Sequence, residues 1–154
     1  MAIHTFKATA TLKEKVLVET ESRGHKVMVD EPASLGGTDT AMNPVELLLS
    51  ALGSCQSIVA RTYAEKFDID LKNFRVELEG DIDLDGFFDK GDVRPGYSEI
   101  SSTFYIDTDA PKEKVEEFVT FLEEHCPVGD TIQNLVNLSS TTVIKNNHLS
   151  LRWL

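Results

Sequence analysis

The longest apolar run of the chain, residues 45–60, is the feature that most constrains its fold. Asn43 and Pro44 precede it, and these residue types favour the N-cap and the first position of a helix. The run is apolar on nearly every side, as in a helix enclosed by other elements. It is too short to span a bilayer comfortably, and polar residues such as Glu46 interrupt it. It therefore predicts a buried helix that ends near Lys66.

Patterns of alternating apolar and polar residues lie on both sides of this helix. They predict strands at residues 6–12, 15–20, 25–29, 74–84 and 100–106, with one or two more within 141–153. Strands that flank central helices are typical of the α+β class. We find no internal repeat and no linker, so residues 1–154 are predicted to form one domain.

Two further helices are predicted in the second half of the chain. One spans residues 111–125, with Thr108 or Asp109 as its cap. The other follows Cys126 and Pro127 and carries the apolar residues Ile132, Leu135 and Val136. Both have the apolar spacing of amphipathic helices, so each is expected to pack one face on the core.

The charge and the cysteine content narrow the range of partners. The net charge is −11, which argues against binding to nucleic acid or to an anionic membrane. The N-terminus turns polar at once and has no apolar stretch of signal-peptide length. Two cysteines in such a chain indicate a reducing compartment, so we expect a cytoplasmic protein whose cysteines are chemical rather than structural.

The two cysteines occupy different predicted positions. Cys55 falls in the apolar helix, where a small inert buried thiol is one interpretation and a reactive thiol is the other. Cys126 precedes Pro127 at the start of a predicted helix, whose N-terminus favours a thiolate. It is equally open that Cys126 is an incidental residue there. The cysteines are 71 residues apart, so their order in the chain does not place them together.

Several segments resemble the OsmC/Ohr family of osmotically inducible and organic-hydroperoxide-resistance proteins. Residues 43–55, NPVELLLSALGSC, resemble its central-helix motif, and residues 126–132, CPVGDTI, resemble its second cysteine motif. Residues 30–32, 35–37 and 78–81 are similar to the YhfA-like branch of that family. The resemblance covers essentially the whole chain.

The resemblance implies an intertwined homodimer with antiparallel sheets packed around long central helices. It also implies a thiol-dependent reduction of organic hydroperoxides, with Cys55 as the peroxidatic and Cys126 as the resolving residue. The reaction would pass through a sulfenic acid and an intrachain disulfide, and a dithiol would reduce that disulfide. No cofactor is implied. The alternative is a non-catalytic protein of the same fold that binds a small lipophilic ligand in an apolar cavity near Cys55.

Two further residues are candidates for substrate binding. The family has a glutamate directly after the motif proline, whereas this chain has Val45 there and Glu46 next. Glu46 is nine positions from Cys55, which is a rotation of roughly 180° around a helix. A capping box with Asn43 is the other explanation of Glu46. Arg23 is the best candidate for the family's N-terminal arginine, and a solvated turn arginine is its alternative.

Metal binding is weighed at two places. Asp81, Asp83 and Asp85 begin a segment with the acidic spacing of a calcium loop, but a strand pattern precedes it and no helix pattern follows. Alternation along a strand explains the three acids, so calcium is not expected and a calcium-responsive structural protein is the weakest hypothesis. The four histidines lack the spacing of metal ligands, so no metal site is predicted.

Overall fold

The computed structural model describes residues 3–144. Its first part is an antiparallel sheet of three strands in sequence order, β1 (Thr9–Leu12), β2 (Val18–Ser22) and β3 (His25–Val29). Arg23 and Gly24 join β2 to β3 with φ values of 54° and 86°. Two left-handed residues form the kind of turn that matches the twist of a tight hairpin. The sheet makes few contacts with the helices of its own chain.

The second part is built around one long helix. The elements in chain order are α1 (Pro44–Tyr63), β4 (Asn73–Asp81), α2 (Leu84–Phe87), β5 (Glu99–Asp107), α3 (Lys112–Glu124) and α4 (Pro127–Gln133), with 3-10 turns at Ala33–Leu35 and Glu65–Phe67. Strands β4 and β5 form an antiparallel pair. The mixture of helices with antiparallel sheets confirms the predicted α+β class.

The start of α1 agrees with its prediction. Asn43 is the N-cap and accepts a hydrogen bond from the Glu46 amide at 2.9 Å, and Oε2 of Glu46 accepts one from the Asn43 amide at 2.8 Å. This reciprocal pair is a capping box, and it satisfies two amides that a helix end leaves without partners. The helix ends at Tyr63, and a 3-10 turn continues the chain toward residue 67.

The core lies where α1, α3 and the β4–β5 pair meet. Phe118 and Leu122 of α3 are 0% exposed and pack with residues of α1 such as Val59 and Ala60. Gly53 allows the helix to approach β4 closely, since a Cβ at that position would lie only 2.7 Å from Leu78 Cδ1. Apolar packing at this junction therefore holds the middle of α1 in place.

Two predicted element ends differ from the structure. Strand β4 ends at Asp81 rather than at residue 84, because Asp83 accepts a hydrogen bond from the Asp85 amide at 3.0 Å and caps the short α2. The alternation used to explain these acids was therefore wrong. Helix α3 has Pro111 as its N-cap and not Thr108 or Asp109. Thr108 Oγ1 instead accepts a hydrogen bond from the Ala110 amide, and Asp109 forms an ion pair with Lys72.

The last predicted elements are shorter than expected or lie outside the described residues. Helix α4 ends at Gln133, so Leu135 and Val136 do not belong to it, and both are exposed. Residues 141–144 form no strand, and the remainder of the strand region predicted at 141–153 lies outside the described residues. Within residues 3–144, no helix has the length and apolar character needed to cross a membrane.

The loop between β3 and α1 is organised by one buried carboxylate. Asp30, 1% exposed, accepts hydrogen bonds from the amide and hydroxyl of Thr38 (3.1 and 2.6 Å), from those of Thr40 (3.2 and 3.0 Å), and from the Glu31 amide (2.9 Å). The hydrogen bond from Thr38 is the main cause that holds the pKa of Asp30 well below its usual range. Asp30 thus fixes the loop that leads into α1.

Candidate active site

The fold brings the two cysteines together. Cys55 lies in the middle of α1, half-buried and packed against the core, and Cys126 is the N-cap of α4 and is 1% exposed. Helix α4 packs on α1, and a Cβ built on Gly129 would lie 3.5 Å from Cys126 Sγ and 3.7 Å from Leu52 Cδ1. The Cys55 side chain is near enough to Cys126 to affect the pKa of its thiol. Neither cysteine is in a disulfide.

The surroundings of Cys126 favour its protonated form. Burial is the largest effect and raises the pKa of Cys126, and Cys55 raises it further through a hydrogen bond and its charge. The Gly129 amide donates to Cys126 Sγ at 3.3 Å and acts in the opposite direction. The sequence predicted that the helix N-terminus would favour a thiolate here, and burial outweighs that contribution. A thiolate at Cys55 therefore disfavours a second thiolate at Cys126.

A cavity of about 550 Å³ adjoins Cys126, whereas Cys55 is not among the residues of its wall. Several apolar side chains line it, including Leu48, Leu52, Ile100 and Ile132. Both the volume and the partly apolar wall are typical of sites for small organic ligands. The cavity therefore has room for a small molecule with an apolar body beside Cys126.

Gln56 is a polar residue in this wall that the sequence analysis did not select. It is 5% exposed, and its Nε2 donates to Ser102 Oγ at 3.3 Å. Its Oε1 is buried and has no hydrogen-bond partner among the described residues. The signal was present, because Leu48, Leu52 and Gln56 follow at four-residue steps and so share one face of α1.

Arg94 and Tyr97 were also missed, because they lie between the strands predicted at residues 74–84 and 100–106, where no element is predicted. Both line the cavity, and Arg94 donates a hydrogen bond to the Tyr97 carbonyl oxygen. The Tyr97 ring covers Gly80, where a Cβ would lie 2.7 Å from Cε1. Burial raises the pKa of Tyr97, and the charge of Glu46 adds to the shift. No spacing pattern in the sequence singles out Arg94.

The structure does not bring Arg23 or Glu46 into the cavity wall formed by the described residues. Arg23 is exposed at the β2–β3 turn and lines a separate depression with Lys7 and Glu21. Glu46 is exposed and engaged in the capping box, although its charge reaches Tyr97. Within one chain, neither residue is therefore assembled with the thiols.

The acidic segment near α2 has the geometry of a helix cap rather than of a calcium loop. Asp83 holds the first turn of α2, and Asp81 pairs with Glu99 in the β4–β5 register. Across residues 3–144, no group of three or more His, Cys, Asp or Glu side chains is arranged to hold a metal ion. His125 bonds the Phe121 carbonyl oxygen at 2.8 Å through Nδ1 and stacks on the Phe121 ring.

Known proteins with similar sequence and structure agree with this architecture. Residues 37–141 match the family model described as OsmC-like protein. Over 145 residues, the chain is 23% identical to a protein named hydroperoxide reductase from Mycoplasma genitalium, which covers 90% of this chain and 96% of that protein.

Two solved structures share the fold. One is an OsmC like protein from Mycoplasma pneumoniae, with a TM-score of 0.74 and 22% identity over 86% of this chain and 89% of that one. The other is an organic hydroperoxide resistance protein OsmC from Legionella pneumophila, with a TM-score of 0.66 and 21% identity over 86% and 92%. These similarities confirm the fold that the two cysteine motifs predicted.

Proposed function

This chain belongs to the OsmC-like protein family, and from that premise we propose that it reduces organic hydroperoxides with its two thiols. The observation that carries the proposal is the proximity of Cys55 to Cys126, which itself lines a cavity with a partly apolar wall. A relative named hydroperoxide reductase supports a peroxidase-like role. The apolar wall suits the organic part of a hydroperoxide, and the thiols supply the two electrons.

The proposed reaction has three steps. The Cys55 thiolate attacks the terminal oxygen of the hydroperoxide; an S–O bond forms, the O–O bond breaks, and the alkoxide takes a proton from water to leave as an alcohol. The Cys126 thiol then condenses with the sulfenic acid at Cys55, so that an S–S bond forms and water leaves. A dithiol reductant exchanges with this disulfide twice and restores both thiols.

The different environments of the two cysteines support this division of roles. Cys55 is half-buried, whereas Cys126 is 1% exposed and has a raised pKa because of burial. A residue that stays protonated and covered suits the second, condensing role. The more accessible residue suits attack on a substrate that arrives from outside.

Turnover with a dithiol reductant tests the proposal. We expect hydroperoxide consumption by the wild type and a loss of at least about a hundredfold in Cys55→Ser, because serine is a far weaker nucleophile. Cys126→Ser should still consume one hydroperoxide per chain but should form no intrachain disulfide. Unchanged turnover in Cys55→Ser would exclude the assigned nucleophile.

The alternative function is binding of a small lipophilic ligand without catalysis. It is favoured by Val45 at the family's glutamate position and by the placement of Arg23 away from the thiols within one chain. Thiol counting after mild peroxide treatment separates the two functions. Rapid loss of two thiols per chain supports the enzyme, whereas loss no faster than in free cysteine supports the binding protein.

The proposal includes a homodimer in the cytoplasm, where a dithiol pool can reduce the disulfide. Large apolar side chains are exposed along the N-terminal segment and α1, with Phe6 at 87%, Leu12 at 65% and Ile58 at 66%. Exposed apolar surface of this kind is typical of a protein–protein interface. An isolated small sheet also needs packing on one face for stability, and a second copy would provide it.

A further inference from the structure

We propose that Gln56 binds the hydroperoxide group itself, with its Oε1 accepting a hydrogen bond from the terminal O–H of the substrate. This inference rests on the proposed function and adds a substrate-binding residue to it. The residue lies in the cavity wall directly after Cys55 in the chain. Its neighbour Cys55 is the proposed nucleophile.

The first argument is the unsatisfied oxygen. Gln56 is 5% exposed, and its Nε2 is held by Ser102 Oγ at 3.3 Å, while Oε1 is buried without a partner among residues 3–144. Folded proteins leave few buried acceptors unpaired, because burial removes their hydrogen bonds to water. A ligand that donates a hydrogen bond would satisfy this oxygen. A hydroperoxide has one such donor, its terminal O–H.

The second argument is the position of the amide on α1. Leu48, Leu52 and Gln56 form the stripe of α1 that faces the cavity, and Gln56 is the polar member at its end. An apolar residue would complete the stripe at lower cost, because it needs no partner. A polar side chain at this place thus matches a ligand with an apolar body and a polar reactive end.

The third argument concerns geometry between neighbours. Side chains of consecutive helical residues diverge by about 100°, so a hydroperoxide held by Gln56 must extend across the surface of α1 to meet Cys55. Cys126, the N-cap of α4, lines the same cavity as Gln56. Oε1 is buried in this conformation, and the terminal amide torsion of glutamine has a broad energy well, so binding of the substrate requires rotation about that torsion to expose Oε1 to the cavity.

The test compares two reactions of the same thiol. Peroxide-dependent oxidation is followed by stopped flow with tert-butyl hydroperoxide, and nucleophilicity is followed by alkylation with iodoacetamide, which has no hydroperoxide group. Gln56→Met keeps a side chain of similar length but replaces the amide with a thioether, a weak acceptor. We expect its rate constant with the hydroperoxide to fall about tenfold, equivalent to about 1.4 kcal/mol, while alkylation changes less than about twofold.

Thr103→Ala is the matched control. It removes an exposed hydroxyl on β5 next to Ser102 and is not among the residues of the cavity wall, so both rates should stay within about threefold of the wild type. Gln56→Leu carries the same expectation as Gln56→Met and replaces it if the methionine variant fails to fold. Circular dichroism and the melting temperature establish folding for each variant.

The outcomes separate this inference from the proposed function. If the wild type reacts with the hydroperoxide but Gln56→Met reacts equally fast, only the role of Gln56 is overturned. Equal losses in both reactions also overturn it, because Gln56 would then act on the thiol and not on the substrate. If the wild type oxidises no faster than free cysteine, the proposed function fails and this inference fails with it.

Discussion

The part of the chain built around α1 and the N-terminal sheet differ in how they are packed. In the first, Phe118 and Leu122 are 0% exposed and close a core between α3, α1 and the β4–β5 pair. In the second, Leu12 is 65% exposed, and β1 has no buried residue. One region buries its apolar surface within the chain, and the other presents apolar surface outward.

This difference indicates where the second copy of the proposed dimer would pack. A small sheet with an uncovered apolar face is marginal by itself, whereas a region with its own core is not. The thiol pair lies in the self-packed region, and the candidate Arg23 lies in the exposed one. The thiols can therefore meet within one chain, while any role of Arg23 at a thiol site depends on another chain.

The largest predicted effect concerns the core of the first region. Phe118→Ala leaves a cavity where a fully buried ring packs, so we expect a loss of about 3–5 kcal/mol in the free energy of unfolding. Urea denaturation followed by circular dichroism measures it. Thr103→Ala, an exposed position on β5, is the control and should change stability by less than about 0.5 kcal/mol. Equal effects in the two variants would refute the self-contained core.

The second prediction tests the exposed apolar surface. Ile58 is 66% exposed on α1, and burying a glutamate in its place at an interface is unfavourable without a partner for the charge. We expect Ile58→Glu to convert a dimer to a monomer, as measured by sedimentation equilibrium.

Thr120→Glu adds the same charge at an exposed position of α3 and should leave the dimer intact. A wild type that sediments as a monomer at every concentration would contradict the dimer. If the Ile58→Glu variant remains dimeric, the interface does not include this face of α1.

The third prediction addresses the loop that joins the two regions. The depressed pKa of Asp30 means that its stabilising effect is present above the carboxyl pKa of the unfolded chain, about 3.9, and is lost as the pH falls toward the folded-state value. Asp30→Asn should therefore be less stable than the wild type at neutral pH, and the difference should shrink below about pH 4. Urea unfolding at several pH values measures this; a pH-independent difference would contradict it.

The sequence predicts the local features of both regions well, but it predicts poorly which distant segments pack together. The capping box of Asn43 and Glu46 and the hairpin turn at Arg23 depend on neighbouring residues, so their patterns are visible in the chain. The end of β4 was missed because the Asp83 side chain stabilises a competing local structure, the cap of α2.

The candidate site is less predictable because it depends on contacts between distant segments. Family motifs named Cys55 and Cys126, but no local pattern reports that α4 packs on α1 or that burial outweighs the helix N-terminus at Cys126. The Nε2 of Gln56 has its partner only once β5 brings Ser102 beside α1. Such features follow from tertiary packing and not from residue spacing.

The fourth prediction sharpens the description of the thiol pair. Cys55→Ala removes the hydrogen bond and the charge that raise the pKa of Cys126 and leaves the larger effect of burial in place. We therefore expect the pKa of Cys126 to fall. Peptide-resolved alkylation against pH measures it, with Ser54→Ala as a control that keeps both thiols. An unchanged pH profile at Cys126 would mean that the two side chains do not interact.

The smallest predicted effect lies in the exposed sheet and separates stability from function there. Arg23 has a φ of 54°, and Asn followed by Gly adopts this left-handed turn more readily than Arg does. Arg23→Asn should therefore raise the free energy of unfolding by about 0.5–1 kcal/mol, whereas Gly24→Ala, at a φ of 86°, should lower it.

If Arg23 serves a thiol site across the dimer, the same Arg23→Asn variant will be more stable and yet react more slowly with hydroperoxide. A stabilised variant with unchanged reactivity would leave Arg23 as a solvated turn residue, and a destabilised one would contradict the strain at this position. A residue present only to form the turn would be one that favours stability. A gain in stability together with a loss of reactivity in Arg23→Asn would therefore indicate that Arg23 is functional.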